Sequence, residues 1–211
     1  PAYGEHLSTP SQMLSVSTEW TLRFDGVGRL YGGASAVGRL ARSHVCVVGL
    51  GGVGSWAVEA LARSGIGSMT LVDLDEVCIS NTNRQSHALL STVGRPKGEV
   101  LAQRVAEINP ECELRFRNEW LTVGGALDVV SEESARAAGG FAVLDAIDGV
   151  WEKAALIDAC VRLEAHVVTV GAAGGKADPS AVRIDDLAAA SNDRLLASTR
   201  STLRKRYAFP K

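Results

Sequence analysis

The chain has 211 residues, 46% of them hydrophobic and 22% charged, and its 22 Lys and Arg against 24 Asp and Glu give a formal net charge of -2. A chain of that length makes one domain that buries roughly 70% of its unfolded surface, so no disulfide or metal staple is needed. The near-neutral balance excludes a protein that coats nucleic acid through overall basicity, while leaving room for a local basic patch. The longest charge-free hydrophobic segment, His44 to Val58, is interrupted by four glycines, so it falls short of the roughly 18 to 20 apolar residues of a membrane span. Cys46, Cys78, Cys112 and Cys160 are scattered with no CxxC spacing, which reads as buried, reduced thiols in a cytosol-like compartment.

The first 20 residues are rich in Ser and Thr and lack an initial Met, a basic start and an apolar centre. They read as a flexible or trimmed tail rather than a signal peptide. Residues 21-211 are then the folded domain, placed in the cytoplasm, or in an organelle interior if the tail is a trimmed targeting segment. From Val45 onward, short β-branched runs alternate with helical patterns, the signature of βαβ units and a parallel sheet covered on both faces. Predicted strands are Val45 to Gly49, Ser68 to Asp73, Cys112 to Arg117, Phe141 to Asp145 and His166 to Val170. Predicted helices are Val53 to Ser64, Pro96 to Ile108 with proline at its start, and Trp151 to Glu164. The Gly- and Ala-rich stretch from Leu121 to Gly140 is expected to contain one more helix. Past Gly171, the turn pair Asp178-Pro179 and the alternating Ala181-Val-Arg-Ile184 predict an antiparallel excursion. The expected fold class is α/β: Rossmann-like, doubly wound, mainly parallel, with an antiparallel C-terminal extension.

Gly49-Leu-Gly-Gly-Val-Gly54 lies between the first predicted strand and helix. Glycine serves there because the chain turns tightly, its backbone must touch phosphates and the helix must pack closely on the sheet. The helix start then offers unpaired N–H groups and partial positive charge to an anion. Alone, such a loop is also compatible with a turn that binds nothing. Asp73 ends the second strand about 20 residues beyond the glycines, where an acid can accept from ribose hydroxyls, with Asp75 as the second choice or a turn acid. These features point to an adenosine ligand without separating NAD from ATP. Ser80-Asn-Thr-Asn-Arg-Gln85 and Lys97 separate them, because a triphosphate that loses pyrophosphate needs extra cations and polar donors; Asn83, Arg84, Gln85 and Lys97 supply those types. Asp145-Ala-Ile-Asp148 ends the fourth strand at the same sheet edge, which makes Asp148 a candidate magnesium contact, with capping of the following helix as the alternative role for either acid. The segment Ser198 to Lys211 carries Arg200, Arg204, Lys205, Arg206 and Lys211 and no acid. It can track nucleic-acid phosphates, or it can be an exposed helix end whose cations complement its dipole.

The runs Gly49 to Gly67, Thr70 to Asp75 and Ser80 to Gln85 resemble the ubiquitin-activating-enzyme-like family of ATP-dependent adenylyltransferases. Within it, Ser55-Trp56, Asn81 to Gln85, Ile108 to Cys112, Asp145 to Asp148 and Gly171 to Gly175 with Asp178-Pro179 are similar to the tRNA threonylcarbamoyladenosine dehydratases, over about Arg23 to Arg206. The resemblance implies that Gly49, Gly51, Gly52 and Gly54 form the nucleotide loop and that Asp73 or Asp75 binds ribose. It assigns the phosphates to Asn83, Arg84 and Lys97 and magnesium to Asp148. Arg29, in Gly28-Arg-Leu-Tyr-Gly32, resembles an arginine donated across a homodimer to the partner's ATP. The implied reaction is adenylation and cyclisation of the modified adenosine of tRNA, with net loss of water. Relatives that activate sulfur carriers bear two CxxC zinc pairs; none is present, so a structural zinc is not expected. The resemblance also implies further sheet and helix beyond the position of Arg206, so the chain is expected to lack the C-terminal part of the family. Rival readings are an adenylyltransferase for a ubiquitin-like or sulfur-carrier tail, an NAD-dependent oxidoreductase, and a non-catalytic nucleotide-binding or structural subunit.

Overall fold

The run His44–Val48 buries all five of its residues, which a strand does at the centre of a sheet covered on both faces. In the computed structural model, which describes residues 17–210, this run is the central strand β1. Two helices precede it, α1 (Thr18–Tyr31) and α2 (Ala34–Arg42), and the chain continues through α3 (Gly54–Arg63), β2 (Ser68–Val72), α4 (Lys97–Ile108), β3 (Glu113–Arg117), α5 (Ala126–Arg136), β4 (Phe141–Asp145), α6 (Val150–Arg162), β5 (His166–Thr169) and α7 (Arg194–Arg206). The five strands lie in the order β3-β2-β1-β4-β5, and every neighbouring pair is parallel. Alternate residues of β1 feed two cores. Val45 and Val47 pack with Val58, Ala62 and Leu101 of α3 and α4, while Cys46 and Val48 pack with Val129, Leu156 and Cys160 of α5 and α6. The sheet is therefore doubly wound, and its order reverses between β1 and β4, where such folds bind ligands beyond the carboxyl ends of the strands.

Three sequence expectations need correction. Residues 1–16 of the predicted tail lie outside the described residues, but its last four do not belong to a tail. The Ser17 hydroxyl accepts from the Trp20 N–H at 3.0 Å and caps α1, and Trp20 and Phe24 are buried against Val37 of α2. Ser17, at the end of that Ser- and Thr-rich stretch, is a helix-start signal. The antiparallel extension is also absent among the described residues. Pro179–Ala181 forms a single 3-10 turn capped by Asp178, and Val182 and Ile184 are 79% and 100% exposed. Alternation makes a strand only beside a sheet edge, and no described segment runs next to this one. Finally, Cys46 and Cys160 are buried and Cys112 is half-buried, but Cys78 is exposed. No helix among the described residues is long and apolar enough to cross a membrane.

Beneath the sheet, α5 carries a fully buried acid. Glu133 receives hydrogen bonds from the Thr70 hydroxyl at 2.6 Å and the Arg117 guanidinium at 3.1 Å, and its other close partner is His44 Nε2 at 3.2 Å. Burial by itself would raise the carboxyl, but bonds from His44, Thr70 and Arg117 outweigh it and hold Glu133 down at about 2. Because this value lies below the ordinary one, the stabilisation is complete above about pH 4.3 and is lost as the pH falls through 2. Glu133→Ala is expected to lower stability by about 3 kcal/mol and to flatten the acid limb of stability between those pH values, as measured by urea unfolding across a pH series.

Candidate nucleotide-binding site

The turn from β1 into α3 is shaped by what glycine lacks. A β-carbon on Gly54 would overlap the Gly49 carbonyl oxygen, so no other residue lets the helix begin this close to the strand it follows. Gly49 has φ +89°, and a β-carbon there would press on the Ala146 carbonyl at the end of β4 at 2.8 Å. The loop is clamped from the neighbouring strand: buried Asp73, just past β2, accepts from the Leu50 N–H at 2.6 Å and from the Asp75 N–H at 2.7 Å. A carboxylate has about four lone-pair positions, so Asp73 keeps acceptor capacity for a ribose hydroxyl.

The segment from Ser80 to Gln85 folds back onto this loop. Two residues in the first turn of α3 hold it there: the Trp56 indole N–H donates to the Arg84 carbonyl at 2.9 Å, and the Ser55 hydroxyl accepts from the Ser86 N–H at 3.2 Å. Arg84 Cγ would lie 3.3 Å from a β-carbon on Gly52, and the Gln85 amide nitrogen 3.9 Å from one on Gly51. The Arg84 guanidinium donates to the Ser80 carbonyl at 3.1 Å and the Asn83 side-chain oxygen at 2.9 Å, both neutral acceptors that leave its charge uncompensated. Lys97, at the start of α4, is buried and pairs with Asp75 at 2.7 Å. Buried Gln85 and His87 lie in the same stretch; both ring nitrogens of His87 and the Gln85 side-chain oxygen lack partners among the described residues. Burial and the neighbouring Lys97 charge hold His87 down to about 4, so this imidazole is neutral at pH 7.

The two acids after β4 have opposite fates. Asp145 is fully buried, 2.8 Å from buried Lys153 of α6, and also accepts from the Thr169 hydroxyl at 2.5 Å and the Ile147 N–H at 3.1 Å. Burial raises the Asp145 carboxyl and lowers the Lys153 amine, so their bond to each other is what keeps both groups inside. Asp148 is exposed and joins Gly49, Asp73, Trp120, Ile147 and Glu152 in lining a cleft of about 380 Å³. Neither acid caps α6, whose N-cap is Gly149 with no side-chain bond. A separate hollow of about 420 Å³ at the far end of α3 is lined by Arg23, Arg63 and Arg104. Glu19 and Glu59 already engage those arginines, and neither the glycine loop, Asp73, the Ser80 to Gln85 segment, Lys97 nor Asp148 contributes to it.

The glycine loop, Asp73, the Arg84–Lys97 group and Asp148 thus meet at one sheet edge, and residues 29–206 match the ThiF family. The chain belongs to the ThiF family. Over 187 residues it is 47% identical to the tRNA threonylcarbamoyladenosine dehydratase of Haemophilus influenzae, covering 89% of this chain and 69% of that one. Over 196 residues it is 46% identical to the Escherichia coli protein of the same name, covering 93% and 70%. The crystal structure of the Escherichia coli dehydratase in complex with ATP superposes with a TM-score of 0.87 at 46% identity, covering 92% of this chain and 77% of that one.

Within this ThiF-family fold, not every residue singled out in the sequence reaches the cleft. Arg29 pairs with Asp25 one turn earlier in α1 at 3.2 Å, with its side chain 78% exposed, and it does not line the cleft. Arg200 is half-buried, and its Nη1 donates to the Leu187 and Ala190 carbonyls at 3.0 and 2.6 Å, bracing the loop that enters α7. Arg204 donates to the Pro210 carbonyl at 3.2 Å. Lys205 is exposed, Lys211 lies outside the described residues, and Arg206 stacks on Trp151. The segment Glu119 to Val123 after β3, which lines the cleft, was missed because it holds no glycine and only one charge, unlike the other loops; a tryptophan three residues past the strand's carboxyl end was its main signal. Gly54→Ala is expected to lose about 3 kcal/mol of stability or more, and Gly52→Ala less than about 1 kcal/mol because the Arg84 stem can swing aside. Unfolding of the two variants in parallel tests that order.

Proposed function

We propose that this ThiF-family chain removes water from threonylcarbamoyladenosine in tRNA by ATP-dependent activation of its carboxylate. The observation that carries the reading is Arg84 lying across the glycine loop with Lys97 in the adjoining helix start. A dinucleotide needs its two phosphates met by the loop alone, whereas a triphosphate brings charge for which these cations are the natural partners. Asp73, already turned toward the loop, is the acid we assign to ribose, in preference to Asp75, which is tied to Lys97; Asn83, whose side-chain oxygen holds the Arg84 guanidinium, and Gln85 are assigned to the nucleotide with Arg84. Residues 21–211 are read as one ATP-binding, adenylyltransferase-like domain, with the first turn of α1 added to it.

In the reaction, the threonyl carboxylate attacks the α-phosphorus in line and pyrophosphate leaves. The neighbouring carbamoyl group of the same nucleoside then closes on the activated carbonyl, releasing AMP. Because the closing group is tethered, orientation alone can supply about 7 to 11 kcal/mol of that barrier, and no nucleophile from the protein is required. The protein's part is to hold the triphosphate and stabilise charge that grows on it, through the Arg84 guanidinium, the Lys97 ammonium and the N–H groups at the start of α3.

Asp148 is the residue we assign to magnesium, whose role when bound is to add positive charge beside the phosphates. Asp148 lies exposed in the cleft that Asp73 and Glu152 also line, which suits an ion that takes one or two carboxylates and completes its shell with phosphate oxygens and water; no group of three or more acidic, His or Cys side chains is placed to hold a metal among the described residues. Arg29 is assigned to the partner's site in a homodimer. This fits its exposure and its place on α1, where Leu22, Leu30 and Tyr31 are also exposed. A tRNA substrate and bacterial relatives favour the cytoplasm as the compartment.

Mass spectrometry of tRNA nucleosides after incubation with ATP should show loss of one water from threonylcarbamoyladenosine; unchanged nucleoside alongside tight ATP binding would instead indicate a non-catalytic nucleotide-binding subunit. Arg84→Ala should cut turnover by about 100-fold or more with the fold intact by circular dichroism, and wild-type turnover in that variant would remove Arg84 from the mechanism.

A further inference from the structure

Three of the chain's four tryptophans are exposed by about half or more: Trp56 at 56%, Trp120 at 62% and Trp151 at 49%. All three sit at the carboxyl edge of the sheet, at the start of α3, after β3 and at the start of α6. Large aromatic side chains left in water around one edge of a fold call for an explanation. Trp56 has one, since its N–H holds Arg84 in place, and so does Trp120, which lines the nucleotide cleft. Trp151 belongs to neither role. It stands beside Gly149 and Glu152, both of which line the cleft, so it lies at the rim rather than within.

What Trp151 does contact is the basic end of α7. The Arg206 guanidinium carbon lies 4.1 Å above the centre of the indole, and α6 and α7 are locked together below this contact by Ala154, Ile157 and Leu203. Arg206 has no carboxylate partner among the described residues, so its charge faces the ring and solvent. A guanidinium on an indole forms a flat, cationic, solvent-exposed surface on which an unpaired base can stack in turn, a contact that paired RNA cannot make. Lys205 beside it, exposed, is placed to meet the flanking phosphate.

We propose that Trp151 and Arg206 form a stacking platform for an unpaired RNA base at the rim of the nucleotide cleft, so that unpaired RNA is recognised there by its open bases as well as by its phosphates. The inference rests on tRNA being the substrate, and it assigns to Arg206 a stacking role that a point charge could not fill.

The test measures binding of the 211-residue chain to two fluorescein-labelled RNAs of equal length, a stem-loop with a seven-nucleotide unpaired loop and a blunt, fully paired duplex. Trp151→Ala and Arg206→Lys should each weaken stem-loop binding about tenfold, with duplex binding and ATP affinity changed less than twofold; Trp151→Phe should restore most of the loss, because it keeps an aromatic face. The proposal falls if Arg206→Lys binds the stem-loop as wild type does, which would reduce Arg206 to a phosphate contact. It also falls if Trp151→Ala weakens both RNAs equally or neither. Failure of the wild-type chain to bind either RNA would overturn the tRNA reading itself, a result distinct from the other two.

Discussion

The whole site hangs on one close approach: the start of α3 against the carbonyl of Gly49, at a distance that leaves no room for a β-carbon. That contact fixes where the helix axis begins, and the helix start in turn carries the two side chains, Ser55 and Trp56, that hold the Arg84 segment. Gly49 must also pass the end of β4 at Ala146, so the same turn sets the spacing between the central strand and the strand bearing Asp145 and Asp148. A displacement of the loop would move the glycines, the cation and the acid together, because each is referred to the same few backbone atoms.

Around that turn, the polar groups divide into those already committed and those left open. Asp145 and Lys153 neutralise each other in the interior and tie β4 to α6, while Lys153 also donates to the Val170 carbonyl at 3.0 Å beyond β5. Asp73 is engaged by two backbone N–H groups and Lys97 by Asp75. Arg84 and Asp148 remain without an ion-pair partner among the described residues. A cation and an anion thus stay open on either side of the glycine turn, and this is the pairing on which the proposed phosphate and metal assignments rest.

The strands, the glycine loop and the helices on either side of it were legible in the sequence because each rests on local rules: β-branched runs, proline at a helix start, glycine at a tight turn. The Arg84 and Lys97 assignments were legible as residue types, but the contacts that set them in place, Trp56 to the Arg84 carbonyl and Asp75 to Lys97, join residues more than 20 positions apart and leave no local trace. The contacts of Arg200 leave no local trace either. Charge in a row suggests a shared role, yet one arginine of the row turns inward to two carbonyls of its own chain. The Ala181 to Ile184 alternation failed differently: it states how the side chains would face if a neighbouring strand were present, and says nothing of whether one is. The Glu119 to Val123 loop and the Trp151–Arg206 pair escaped because an exposed tryptophan reads, in sequence, like one more core residue.

The thiols carry a practical consequence. Burial pushes the Cys46 thiol up and holds Cys112 and Cys160 at about 12, so at neutral pH these sulfurs are protonated and poor nucleophiles. Cys78 is exposed, one residue before the turn Ile79–Asn81 that leads into Asn83 and Arg84. A maleimide probe added to the folded protein would therefore report from a single attachment point, and that point leads into the segment that folds back onto the glycine loop. The chain carries its own site for a spectroscopic label without a substitution being made.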